Sequence, residues 1–353
     1  MAQQMRCYQI RAFGTELSEA VVDLPALEGA QVRLKVIGAG VCHSDVHICE
    51  GHYQLGGGKT LSFADRIRFP RTLGHEVSGE VVAVGPDVAH LAVGDVCLAC
   101  SWIGCMECDH CRQGLENLCT APRVIGVNRD GGFAEYVDLP DERYAIPLGD
   151  LDPVAAAPMV CSGLTTYSAL KKFGPLQARR PLVVIGAGGL GLIAISVARM
   201  LGATGVVTVE IDPARRQAAL DAGASHAIDP AAPDAVAAIK AAVGGQVWGV
   251  LDVVGSSETV QLALDALDKA GQLVVVGLFG GAISIPVPSL PLKVLTIQGS
   301  YTGSPAELRE FIALARRLGL PRVPLDIRPL SHAPQALKDL QQGKVVGRIV
   351  LTP

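Results

Sequence analysis

Four cysteines crowd one short polar stretch, GCMECDHCRQGLENLC (104–119), where Cys105, Cys108, Cys111 and Cys119 follow C-x2-C-x2-C-x7-C. Four thiolates this close in sequence can surround a zinc ion tetrahedrally and leave no coordination position open. Such a metal pins a loop too poor in apolar residues to fold by burial, and it activates nothing. An iron–sulfur cluster can use a related spacing. Zinc is favoured because the chain carries its own hydride-carrier site and offers no second redox relay. Cys97 and Cys100, just upstream in VCLAC, read as small buried residues of a strand. An open metal site would need other ligands. Cys42 in GVCHSDVH, His75 in LGHEVSGE and Cys161 in PMVCSGLTTY together make Cys2His, a set that leaves a fourth position for a reactant. They are far apart in sequence, so their spacing says nothing about proximity, and each alone is more often structural.

The second chemical signal is GAGGLG, in which Gly186, Gly188 and Gly191 form G-x-G-x-x-G. The first glycine permits a tight turn, the second lets a pyrophosphate approach the backbone, and the third allows close helix–strand packing. Glycine-rich turns occur by chance, but here LVVIG runs in as a strand and LIAISVARMLG runs out as an apolar helix. A further strand, GVVTVE, ends in Glu210, where an acidic side chain accepts the ribose hydroxyls of NAD and repels the extra phosphate of NADP. Asp212 is expected to cap the next helix. The cofactor implied is NAD.

These groups need a scaffold. At 353 residues the chain suggests about two domains. Hydrophobic residues make up 49% and aromatics only 4%, so the cores must be aliphatic, which suits buried parallel strands. Residues 1–160 read as mainly β, with strands at VRLKVIGAGVC (32–42) and VSGEVVAVG (77–85). Over 161–297 strands such as LVVIG, GVVTVE, GVLDVVG and LVVVGLF alternate with helical patterns, implying a parallel sheet with helices on both faces. Residues 298–353 hold an amphipathic helix, AELREFIALARRLG, and a closing segment, KVVGRIVLTP, expected to return to the first domain.

The formal charge of −4 gives no electrostatic reason to expect nucleic acid or an anionic membrane as partner. The uncharged stretch 181–198 is long enough for a membrane span, but its central GAGGLG fits strand, turn and helix better. The start, MAQQMRCYQIRAFG, lacks the apolar core of a secretory signal. Clustered cysteines without an export signal suit a reducing, cytoplasmic setting.

The GHE box, the CHSDVH strand end, the four-cysteine lobe and the GAGGLG turn, in this order, make the chain resemble a zinc-containing medium-chain alcohol dehydrogenase over nearly its whole length. CSGLTTY, NRDGGFAEY and GRIVL resemble bacterial and archaeal NAD-dependent members. The fold implied is α/β: a Rossmann doubly wound parallel-sheet cofactor domain beside a mainly-β, GroES-like catalytic domain. The resemblance implies two zinc ions per chain, a catalytic one on Cys42, His75 and Cys161 and a structural one on the four-cysteine lobe near 97–119. Glu76 is expected near the catalytic metal. Asp45 should accept the free ring N–H of His75. Ser44 would take the alcohol proton and pass it through the nicotinamide ribose hydroxyl to His47, which titrates near neutral pH.

Toward the cofactor the resemblance implies His43 at the phosphates, Thr165 beside the nicotinamide, Gly189 and Leu190 in the turn, Arg215 over the adenosine and Arg348 at the pyrophosphate. Tyr53, Trp102, Val124, Val127 and Leu278 are expected to wall the substrate pocket, with Leu278 also against the cofactor. Their apolar character suggests a hydrophobic primary or secondary alcohol, cyclic or aromatic included, giving an aldehyde or ketone. Relatives commonly assemble through the nucleotide domain, so a homo-oligomer is expected, a tetramer before a dimer. Two other readings compete, a polyol-type zinc dehydrogenase and a non-catalytic NAD-binding sensor. The pattern is strained at Glu210, where Asp is usual, and at 53–76, a long segment carrying Lys59, Arg66, Arg68 and Arg71 that reads as a solvated loop face.

Overall fold

The computed structural model describes residues 3–176 and 180–353; Met1 and Ala2, which open the expected catalytic domain, lie outside them. The first layer is organised around Val32–Val41, in which only Lys35 is exposed. A strand covered on both faces cannot alternate apolar and polar residues, and its small residues let neighbours pack closely. Glu76–Val84 pairs antiparallel along one edge. The other edge is shared between two partners. Tyr136–Leu139 takes the first half and Arg348–Thr352 the second, with Ile349 opposite Val41. The sheet continues through Val96–Ala99 and Ala145–Pro147 on one side and Leu325–Pro329 on the other. The carboxy-terminal strand therefore lies inside the amino-terminal layer.

The second layer is a six-stranded parallel sheet in the order His226–Ile228, Val206–Val209, Leu182–Ile185, Gly249–Asp252, Gln272–Val275 and Thr296–Gly299. Its last strand crosses the expected boundary at 297. Alternate residues serve opposite faces. Leu182, Val184, Val206 and Val274 pack with Leu192, Ile193 and Ile195 of helix Gly189–Met200. Val183, Ile185, Val207 and Leu273 pack with Ile239 and Leu264 of helices Ala235–Ala242 and Ser257–Ala266. The strand order reverses direction between Leu182–Ile185 and Gly249–Asp252, and the crevice beyond their carboxyl ends is where such sheets bind ligands. Residues 181–198 are divided between strand and helix, and among the described residues no helix is long and apolar enough to cross a membrane.

The segment expected as a solvated loop is folded instead. His52–Gly56 and Lys59–Ser62 form an antiparallel hairpin, Arg71–Thr72 pairs with Gln4–Ile10, and Phe63 and Ile67 are buried. Phe63 and Ile67 are apolar residues set among the basic ones, and their burial anchors the turn between the strands.

Helix Pro305–Leu318 starts at a capping box between Ser304 and Glu307. It packs on helix Ser162–Lys171, where fully buried Phe311 meets Tyr167 with ring centroids 5.4 Å apart. Since Cys161 is the N-cap of that second helix, this packing also fixes a candidate ligand. Phe311→Ala should destabilise the protein by about 3–5 kcal/mol through the cavity it leaves, read as a lower unfolding midpoint in urea.

Candidate active site and metal centres

Two clusters bring together groups that could hold a metal. In the first, the ligand atoms of Cys42, His75, Glu76 and Cys161 lie within 4.8 Å of one another. Cys42 ends the central strand and caps helix His43–Glu50, while His75 and Glu76 enter the strand beside it. Both cysteines thus sit at helix amino-termini, where the helix dipole favours a thiolate. The Cys42 thiol is held well below its ordinary pKa, first by a hydrogen bond from Cys161, and the same bond pushes Cys161 up. Burial alone would lower the His75 pKa, but Asp45 and Cys42 outweigh it and hold the ring well above its usual value. Asp45, fully buried, accepts from His75 Nδ1 at 3.1 Å, from the Cys42 amide at 2.9 Å and from the Gly74 amide at 3.3 Å. Nδ1 is thereby committed, and Nε2 is the nitrogen left for a metal.

Glu76 is also fully buried. One of its oxygens pairs with Arg348, while Oε1 has no hydrogen-bond partner. Burial pushes its carboxyl up to about 7 against the opposing pull of Arg348. An orphaned carboxylate oxygen beside two sulfurs and an imidazole is a donor set that a divalent cation satisfies. The stem of Arg348 presses on Gly189, where a side chain of any size would collide with it, so one arginine joins the metal cluster to the dinucleotide turn.

The second cluster is Cys105, Cys108, Cys111 and Cys119, whose sulfurs also lie within 4.8 Å of one another. Cys105 and Cys111 Sγ are 3.9 Å apart, close to the edge of a tetrahedron with Zn–S bonds of about 2.3 Å. Amides of residues 105, 108 and 121 donate to these sulfurs. Cys97 and Cys100 stand apart as fully buried side chains, and burial pushes both thiols up to about 12.

The first cluster opens into a cleft of about 1280 Å³ between the two layers. Gly186, Gly188, Gly189, Leu190 and Gly191 line it, and Gly186 has φ +98°, a conformation that glycine adopts without strain. Glu210 is buried at the end of its strand and accepts from the amides of Ala187 at 2.7 Å and Asp212 at 3.0 Å. Asp212 caps its helix as expected, accepting from the Arg215 amide. The Arg215 side chain donates to the Gly343 carbonyl at 2.8 Å, tying the nucleotide layer to the returning segment at the cleft wall. The guanidinium of Arg348 is engaged by Glu76, and its Nε has no partner.

Ser44 and His47 share helix His43–Glu50, three residues apart and so on one face. The His47 ring lies 3.5 Å from Glu50 Oε2 and 5.1 Å, centroid to centroid, from the edge-on ring of Tyr53. Tyr53 interacts with Ser44, although burial dominates and pushes its phenol up. His43 faces Phe279 at 5.4 Å, and burial lowers its pKa. Thr165, Trp102, Val124, Val127 and Leu278 all line the cleft.

Sequence reasoning missed Tyr301, Ser300, Asn117, Phe63 and Phe279, which also line it. Tyr301 stands edge-on to Trp102 at 5.0 Å, and its carbonyl accepts from Asn117 at 3.3 Å. A signal existed for Ser300 and Tyr301, since they follow the last parallel strand and so sit at the carboxyl edge of the sheet. Removing the orienting carboxylate by Asp45→Asn should cost about 10–100-fold in affinity of the first cluster for zinc, measured by competition with a chromophoric chelator.

A family model for the alcohol dehydrogenase GroES-like domain matches residues 28–150, and one for zinc-binding dehydrogenases matches 189–317. An NAD-dependent alcohol dehydrogenase of Sulfurisphaera tokodaii is 35% identical over 351 residues, covering 99% of this chain and 100% of the relative. An alcohol dehydrogenase of Geobacillus stearothermophilus is 34% identical over 348 residues, covering 98% of each. The crystal structure of an alcohol dehydrogenase from the archaeon Aeropyrum pernix superposes with a TM-score of 0.86 at 31% identity, covering 99% of this chain and 100% of that one. Matched from end to end in sequence and in fold, the chain belongs to the zinc-containing medium-chain alcohol dehydrogenases and is an NAD-dependent alcohol oxidoreductase.

Proposed function

We propose that Cys42, His75 and Cys161 hold the catalytic zinc, that Cys105, Cys108, Cys111 and Cys119 hold a second, structural zinc, and that the enzyme interconverts hydrophobic primary or secondary alcohols with aldehydes or ketones. The observation that carries this reading is the position of the first cluster in the cleft that the dinucleotide turn and Glu210 also line. When bound, zinc polarises the alcohol oxygen and NAD accepts the hydride.

The chain's own residues do the rest. Asp45 fixes the His75 tautomer and the Cys42 backbone at once. Glu76, held by Arg348, would back the metal, with its unpaired Oε1 available to it. Ser44 receives the hydroxyl proton, and His47, on the same helix face, ends the relay. Tyr53, Trp102, Val124, Val127 and Leu278 shape an apolar wall that excludes water from the reacting carbon. His43, Thr165, Arg215 and Arg348 serve the cofactor, and Glu210 selects NAD over NADP. The catalytic domain comprises the segment up to residue 160 and the return segment that follows Gly299, around a cofactor domain that includes the last parallel strand. Homo-oligomeric assembly is supported by the apolar edge of the parallel sheet, where Val287, Leu292 and Val294 are exposed beside strand Thr296–Gly299 and offer one self-interface.

Elemental analysis should find two zinc ions per chain. Cys42→Ala should leave one zinc and unchanged NAD binding by fluorescence titration while abolishing turnover of benzyl alcohol and cyclohexanol; turnover that survives would overturn the assignment.

A further inference from the structure

The four basic residues that set the 53–76 segment apart have different fates in the fold. Arg71 is spent on Asp130 at 2.8 Å. Lys59 lies at the exposed turn of the hairpin, and Arg68 is exposed away from the cleft. Arg66 alone of the four lines the active-site cleft, the same cavity whose wall includes Cys42, His75 and Cys161.

Three features set Arg66, an exposed residue of the cleft wall, apart from the other three. Its backbone is fixed by a turn, the Arg66 and Ile67 amides donating to the Phe63 carbonyl at 2.8 and 3.1 Å, with Phe63 and Ile67 buried on either side. Among the described residues no carboxylate pairs with its guanidinium. Adjacent Asp65 also lines the cleft with the opposite charge but forms no ion pair with Arg66. Finally, Arg66 shares the cleft wall with Tyr301, whose phenol is pushed up by burial against the weaker opposing pull of the Arg66 charge. Tyr301 stands on Trp102, whose indole N–H is buried without a partner, as is the hydroxyl of neighbouring Ser300. Around the channel the Trp102 N–H and the Ser300 hydroxyl are thus buried without partners, as is one acceptor, Asn117 Oδ1, while Arg66 and Asp65 are exposed charges on its wall. Burying a donor unpaired is costly, and an acceptor on a ligand removes that cost.

We propose that the preferred substrate carries a carboxylate at the end remote from its alcohol, and that Arg66 is the residue that recognises it. This deepens the alcohol dehydrogenase reading and rests on it. The substrate class is an alcohol with an apolar body and an acid terminus, such as an ω-hydroxy acid. Its carbinol carbon gives a hydride to NAD and its hydroxyl a proton, while the carboxylate at Arg66 is unchanged. Arginine suits the task because its planar fork gives a carboxylate paired charge-assisted hydrogen bonds.

The test compares ω-hydroxy acids with their methyl esters, equal in length and neutral, over a series of chain lengths at saturating NAD. At the best length kcat/KM for the acid should exceed that for the ester by about tenfold or more, chiefly through KM. The ratio should fall toward one in Arg66→Met, persist in part in Arg66→Lys, stay at the native value in Arg68→Met and shrink as salt is raised. A ratio near one at every length, or one that survives in Arg66→Met, overturns the proposal. Failure of the underlying reading looks different, because neither acids, esters nor simple alcohols would then reduce NAD.

Discussion

The ion pair between Glu76 and Arg348 lies buried between the two layers, and much of the molecule is arranged to permit it. Neither charge could stay there alone, since an unpaired ion out of water costs several kcal/mol. Arg348 begins the last strand, Glu76 begins the strand on the far side of the central one, and Gly189 opens the first helix of the nucleotide layer. Where these three meet, a side chain at Gly189 would displace the arginine, and loss of the arginine would leave the carboxylate facing two sulfurs and an imidazole uncompensated. The candidate metal ligands and the dinucleotide turn are thus held in one electrostatic unit rather than merely facing each other across a gap.

The same economy governs the sulfur sites. Asp45 spends its two oxygens on a histidine ring and on two backbone amides, so the first residue of the GHE box, the end of the central strand and the imidazole are fixed by one carboxylate. In the four-cysteine lobe the amides of neighbouring residues turn toward the sulfurs. The segment that follows Cys119 forms part of the cleft wall, so the four-cysteine lobe also bounds the candidate site.

How far the sequence could be read follows from the range of each interaction. The parallel layer was legible because its strands are short apolar runs and its first turn has a motif with fixed offsets. The helix cap at Asp212 was legible for the same reason, being local. The convergence of Cys42, His75 and Cys161 was not available from spacing and came only through family resemblance. The partner of Arg348 and the contact of Arg215 with Gly343 join residues hundreds of positions or a whole layer apart, and nothing local announces them. The 53–76 segment misled because its charges dominate its composition, whereas a few buried side chains, Phe63, Ile67 and Leu73 among them, tie it to the fold.

The placement of strand Arg348–Thr352 against the middle of the first layer has a consequence for biogenesis. As the chain leaves the ribosome, the amino-terminal half must wait with an open flank at its central strand while the whole nucleotide layer is synthesised and can close on itself. The strand that seals the flank brings the arginine with it. The Glu76–Arg348 pair therefore cannot form before the parallel-sheet half has been synthesised.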